Sequence, residues 1–220
     1  KTVGEYQLDK ITGAAIKIAT EPDTSEVTDE SNTTGGDADN TATTVDKLHI
    51  FVGDSRTVGL SNAMGCVSYD KLLQIRTEEN LTEYYLAEVG SGYSWYSTKA
   101  LPKLVKMLNE NPAATVILNH GINDLGNIDQ YIASYQWLIR VYPNTKFVIM
   151  SVNPVNRKLY KGYAKPANIT VFNQKMQAAF PNNFVNTYQY LQSMGFNTAD
   201  GLHYDSLTYM NLYNYMQPYL

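Results

Sequence analysis

The chain has 220 residues, 44% of them hydrophobic and 17% charged, with a formal net charge of −4. That is one globular domain of roughly 100–200 residues with some chain to spare; no apolar run reaches the ~18–20 residues that span a bilayer, so an integral membrane segment is excluded. A single cysteine, Cys66, excludes an internal disulfide and a multi-cysteine zinc site, and three dispersed histidines leave no His-rich metal cluster.

The sequence opens at Lys1 without an apolar leader, which reads as a processed product. Residues 1–19 form a short N-terminal arm, in which Tyr6 to Ala14 alternates around a turn signal and predicts a hairpin. This segment is weakly similar to one unit of the Tyr/Gly-rich repeats in Gram-positive cell-wall-binding modules, and a single such unit builds no core. Residues 20–46 hold eight acidic residues, eight threonines and no Lys or Arg. With almost no large apolar side chains they cannot offset their ordering entropy, so they read as a solvated acidic linker.

Residues 47–220 form the third region. Their 14 Lys and Arg against 11 Asp and Glu leave a surplus too weak for a nucleic-acid surface. Leu48 to Val52, Val116 to Leu118 and Phe147 to Met150 are nearly continuous apolar runs, as strands covered on both faces require. Leu86 to Val89 and Phe184 to Val185 are shorter runs of the same kind. Between them lie amphipathic stripes: Leu101, Leu104, Val105 and Leu108; Ile128, Tyr131, Ile132, Tyr135, Leu138, Ile139 and Tyr142; Phe172, Met176, Ala179 and Phe180. A last helix carries Leu212, Tyr215, Met216, Tyr219 and Leu220. Strand starts near 48, 86, 116, 147 and 184 are spaced by roughly the ~30 residues of a βαβ unit. The pattern predicts an α/β domain with a parallel five-stranded sheet and helices on both faces.

In such sheets the chemistry sits at the carboxyl ends of the strands. The first strand is followed by Gly53-Asp54-Ser55-Arg56, which places a serine at a helix N-terminus. The second is followed by Gly90-Ser91-Gly92-Tyr93-Ser94, and the third by Gly121-Ile122-Asn123-Asp124. Asp200-Gly201-Leu202-His203 sets an acid three residues before a histidine, so the carboxylate can hold one ring nitrogen while the other faces a nucleophile. Of the other histidines, His49 falls inside a buried strand, and His120 ends the third strand, where it would line the site.

In this order the four segments resemble the blocks of the SGNH or GDSL hydrolases, and the match covers about Lys47 to Leu220. The resemblance implies a three-layer, flavodoxin-like fold and a serine esterase of acetylesterase type that needs no cofactor or metal. It implies Ser55 as nucleophile, His203 as general base and Asp200 as the acid that orients it. Ser55 N–H, Gly92 N–H and the Asn123 side chain would form the oxyanion hole, with Gly90 as the alternative to Gly92. Arg56 replaces the apolar residue usual after the serine. No Gly-x-Ser-x-Gly elbow is present, which separates this pattern from the α/β-hydrolases.

Tyr93, Trp95 and Tyr96 directly follow the oxyanion glycine. They are expected either to form a sugar-stacking wall or to cover the next helix, and Arg56 joins Tyr93 and Trp95 as a candidate substrate contact. The expected substrate is a small acyl ester or an acetylated glycan, with nucleic acid excluded. The acidic tether and the lack of disulfides fit a secreted or surface-tethered protein of a Gram-positive cell. Acyl transfer to a sugar hydroxyl, or a silent glycan-binding module, are the alternatives to hydrolysis.

Overall fold

Consecutive residues of a strand face opposite ways, so an unbroken apolar run needs cover on both sides. The structure is a computed structural model that describes residues 6–8, 15–17 and 47–220. Strands β1 (Tyr6–Leu8) and β2 (Ala15–Lys17) pair antiparallel, with Tyr6 opposite Lys17. The acidic linker of residues 20–46 and the remainder of the arm lie outside the described residues.

The main sheet holds β3 (Lys47–Gly53), β4 (Val67–Asp70), β5 (Leu73–Glu78), β6 (Leu81–Ala87), β7 (Thr115–Asn119), β8 (Lys146–Met150) and β9 (Phe184–Val185). Its seven strands run in the order β4-β5-β6-β3-β7-β8-β9. From β6 to β9 every pairing is parallel, and these are the expected five strands, with β6 starting at Leu81 rather than near Leu86. Two antiparallel strands, β5 and β4, extend the edge beside β6. Sequence patterning misses them because an edge strand with a wet face carries few apolar residues. Leu73 is buried while Thr77 and Glu78 are exposed, and all of β4 is exposed.

Ile50, Val52, Val116, Leu118 and Ile149 line one face, and Phe51, Ile117, Val148 and Met150 line the other. Helix α1 (Ser55–Ala63) follows β3, and a short turn of helix, α2 (Tyr93–Trp95), leads through a wider π-helical turn into α3 (Leu101–Glu110). Then come α4 (Ile128–Val141), α5 (Pro166–Ala179), α6 (Thr187–Met194) and α7 (Ser206–Met216). The first face packs on Leu104 and Leu108 of α3, Tyr131, Tyr135 and Leu138 of α4, and Phe172 and Met176 of α5. The second packs on Leu60 of α1, Leu191 of α6, and Tyr209, Leu212 and Met216 of α7. Each such side chain, fully buried, contributes about 1.5–3 kcal/mol. Among the described residues no helix is long and apolar enough to cross a membrane.

After β3 the chain builds β6 on one side and then returns to build β7 on the other. That reversal opens a crevice beyond the carboxyl ends of β3 and β7, the usual seat of a site in a doubly wound sheet.

Candidate active site

Asp54 separates the last residue of β3 from the first of α1. Its carboxylate accepts the Arg56 N–H at 2.9 Å and so caps the helix. Ser55 is thereby fixed as the first helical residue, and among the described residues its own N–H has no acceptor. Burial pushes the Asp54 carboxyl up to about 6, against the lowering effects of the Arg56 amide and guanidinium. A carboxyl with a raised native pKa binds its proton more tightly folded than unfolded, so stability falls as pH rises from about 4 to 6. Asp54→Asn keeps the cap and should remove that loss, about 3 kcal/mol by this linkage. Melts between pH 4 and 7 check this: the variant should gain on the native protein across that window. A constant difference would overturn it.

On the opposite rim, Gly201 adopts φ +82°, and a Cβ there would stand 2.3 Å from the Tyr160 backbone nitrogen. Only glycine allows this turn. It lets Asp200 Oδ1 accept the N–H groups of Leu202 and His203, both at 2.8 Å. Asp200 Oδ2 stands 2.6 Å from His203 Nδ1, and His203 Nε2 stands 2.8 Å from Ser55 Oγ. Because an ionised carboxylate only accepts, the ring proton belongs on Nδ1, which leaves Nε2 bare to face the serine hydroxyl. Burial raises the Asp200 pKa, but the His203 ring and the amides of His203 and Leu202 outweigh it and hold the carboxyl well below its ordinary range. Asp200 therefore stays ionised wherever the imidazole works. The arrangement has what general-base activation of a hydroxyl requires.

The third wall joins the loops after β6 and β7. Asn123 Nδ2 donates to Ser91 O at 2.8 Å. Asp124 accepts the Tyr93 N–H at 2.5 Å, the Asn127 amide at 2.9 Å and the Tyr131 hydroxyl at 3.0 Å. A Cβ on Gly92 would stand 2.6 Å from the Asp124 carboxylate, so the close approach of the two loops requires glycine. Among the described residues the Gly92 N–H has no acceptor. Gly92 is adjacent to the Ser91 carbonyl that holds Asn123, whereas Gly90 sits in the exposed turn before it. Ser55 N–H, Gly92 N–H and the second Asn123 N–H are three donors of these loops with no acceptor among the described residues. Each donor aimed at a developing oxyanion is worth about 3–4 kcal/mol.

Other expected contacts lie elsewhere. Arg56 is 3% exposed and spends its guanidinium on the protein, donating to Leu202 O at 3.1 Å, Asn153 O at 2.7 Å and Pro154 O at 2.8 Å, with the Tyr204 ring 5.1 Å away. Tyr93 and Tyr96 are buried against Tyr131 in the core, because the π-helical turn swings them under α4. Only Trp95 of that trio is partly exposed, and its indole donates to Glu88 at 2.5 Å. Tyr93 and Tyr96 thus cover a helix rather than forming a wall, and Trp95 alone of the three keeps an accessible surface. His120 lies beneath the site, boxed by Trp95, Tyr96 and Tyr131, with Nε2 3.5 Å from Ser91 Oγ. Burial pushes its pKa down to about 3, so it is neutral and no substitute for His203. His49 is buried against Glu83. The roles of Ser91 and Asp124 as braces of Asn123 and Gly92 were not visible in sequence, since an Asn-Asp pair after a strand has the same signature as a helix cap.

The sequence matches no protein-family model, and no curated protein matches it. Solved structures do. A Streptococcus pneumoniae protein described as a candidate platelet activating factor aligns over 82% of this chain and 86% of its own, with 23% identity and a TM-score of 0.61. A member of the lipolytic G-D-S-L family from Veillonella parvula aligns over 78% of this chain and 97% of its own, with 13% identity and a TM-score of 0.56. The acetyl xylan esterase AlAXEase aligns over 78% of this chain and 98% of its own, with 17% identity and a TM-score of 0.51. At these identities the likeness establishes a shared fold.

Proposed function

We propose that this protein is an SGNH-type carboxylic ester hydrolase that removes short O-acyl groups, acetyl above all, from a carbohydrate. The observation that carries this is the unbroken relay from Ser55 Oγ to His203 at 2.8 Å and from His203 to Asp200 at 2.6 Å. As Ser55 Oγ attacks the ester carbonyl carbon, His203 Nε2 takes its proton, and the carbonyl oxygen gains the negative charge that the Ser55, Gly92 and Asn123 donors receive. Collapse expels the alcohol, which takes the proton back from His203. Water, deprotonated by the same nitrogen, then attacks the acyl-serine and frees the acid. Asp200 orients and stabilises the imidazolium without itself being protonated.

The sharing of this fold with an acetyl xylan esterase supports the acyl and carbohydrate parts of the reading. Exposure supports them too: Ser55 is only 6% exposed, but the His203 and Asp200 side chains are 40% and 53% exposed, which leaves the histidine side of the relay open to a bulky glycan. An open site also favours water over a sugar hydroxyl as the second nucleophile. The acidic, Thr-rich stretch before the domain supports a secreted or surface-tethered setting on a Gram-positive cell.

A series of 4-nitrophenyl esters tests the acyl preference. A longer acyl chain gains roughly 0.8 kcal/mol per methylene only where an apolar groove buries it. The loop residues that flank the relay in sequence, Ser91, Asn123 and Tyr204 among them, are largely polar or amphipathic. We therefore expect kcat/KM to fall steadily from acetate to octanoate. A rise along the series would make the protein a lipase.

A further inference from the structure

The loop after β8, Asn153 to Lys165, carries Arg157, Lys158, Lys161 and Lys165, and no Asp or Glu occurs from Ser151 through Ala179. All four cations are exposed, and among the described residues none forms an ion pair with a carboxylate. The loop is tied to each part of the relay. Asn153 O and Pro154 O accept the guanidinium of Arg56, next to Ser55. The Asn156 N–H donates to Gly201 O at 2.8 Å, between Asp200 and His203. The Tyr163 hydroxyl donates to Ile122 O at 3.0 Å, one residue before Asn123. Arg157 closes the loop on itself, donating to Gly162 O at 2.9 Å and lying 5.6 Å over the Tyr160 ring. The segment thus bridges the histidine loop and the Asn123 loop as one fixed, positively charged rim.

We propose that this rim is an anion subsite: Lys158, Lys161 and Lys165 receive a carboxylate or phosphate carried by the substrate beside the scissile ester. The inference rests on the hydrolase reading and narrows its substrate class. An acetyl group has no place for a charge, so the anion belongs to the alcohol part, an acidic sugar or a polyol phosphate. The half-exposed Tyr163 ring beside Ile122 adds a face for a sugar ring to lie against. Clustered cations left without carboxylates repel one another and focus their field on an incoming anion, which raises its encounter rate. Arg157 braces the loop and Lys161 Nζ gives one of its three donors to Lys158 O at 2.9 Å, which leaves Lys158, Lys165 and the other Lys161 donors as the readers.

The test compares esters that differ only in charge: an O-acetylated methyl glucuronoside against the methyl glucoside, and O-acetylated glycerol phosphate against O-acetylated glycerol. Solvent-exposed ion pairs are individually weak, so three together should favour the charged ester by roughly tenfold in kcat/KM at low salt. The preference should vanish near 1 M salt, where the Debye length is about 3 Å. The combined Lys158→Gln, Lys161→Gln and Lys165→Gln variant should bring the ratio to about one, and the Lys→Glu counterpart should invert it, both with the native melting temperature. Which pair shows the preference identifies carboxylate or phosphate as the anion. Turnover without any charge preference, or a preference that survives in both variants, overturns the subsite alone. Absence of turnover on all four esters overturns the hydrolase reading and the subsite with it.

Discussion

Ser55→Ala will lower kcat on 4-nitrophenyl acetate by about a million-fold, the scale seen when a member of a Ser–His–Asp unit is removed. In the proposed mechanism the hydroxyl is the group that bonds to carbon, and among the described residues no other hydroxyl lies within hydrogen-bond distance of His203 Nε2. His203→Ala should cost nearly as much, because nucleophile and base act as one unit and their losses do not add. Asp200→Asn should cost about 10⁴, since an amide leaves the imidazole in the wrong tautomer without moving it. Folding should be unaffected by the serine change. The Ser55 hydroxyl bonds the half-exposed His203 ring, which water can satisfy in its place, so stability should change by less than about 1 kcal/mol, a melting shift of no more than about 4 °C. Substantial turnover by pure Ser55→Ala protein would remove Ser55 as nucleophile.

The sequence exposed the parts of this fold whose residues must be apolar on consecutive positions. Val116 to Leu118 and Phe147 to Met150 become the buried middle of the sheet, and the stripes at 101–108, 128–142 and 172–180 become α3, α4 and α5. Strands β4 and β5 stayed hidden because a solvated edge writes only half a pattern, and α6 because little besides Thr187 and Leu191 is buried along it. The site was legible where chemistry dictates residue type and spacing: a serine after the first strand, and an acid three residues before a histidine. It was illegible where a residue acts by holding another. Nothing in the string Gly-Ile-Asn-Asp says that Asp124 grips the Tyr93 amide, or that Asn123 is aimed by the Ser91 carbonyl. Such contacts join positions some 30 residues apart through the packing of two loops, and no local period records them. Arg56 is the clearest case, since from sequence alone a cation beside Ser55 reads as a substrate contact.

Replacing Arg56 with leucine should therefore act mainly on stability. Its guanidinium is buried and meets the carbonyls of Asn153, Pro154 and Leu202. Pro154 O keeps a second donor, the Tyr204 hydroxyl at 2.6 Å, but Asn153 O and Leu202 O lose theirs. Leaving those carbonyls short of a donor costs about 3 kcal/mol together, and a domain of this size should then melt roughly 6–12 °C lower. The guanidinium hydrogen-bonds only to oriented carbonyls among the described residues, so Arg56→Lys should rescue little: an ammonium cannot reach three carbonyls spread around a planar fork. Activity should fall as well, because Arg56 ties the residue after Ser55 to Leu202, the residue before His203, and sets the 2.8 Å spacing between them. That loss should appear in kcat with KM nearly unchanged, as expected when alignment of the relay is disturbed and substrate binding is not. Melting curves and steady-state kinetics on the same preparations decide the matter. A raised KM at an unchanged melting temperature would return Arg56 to the substrate, and the structural role assigned to it would fall.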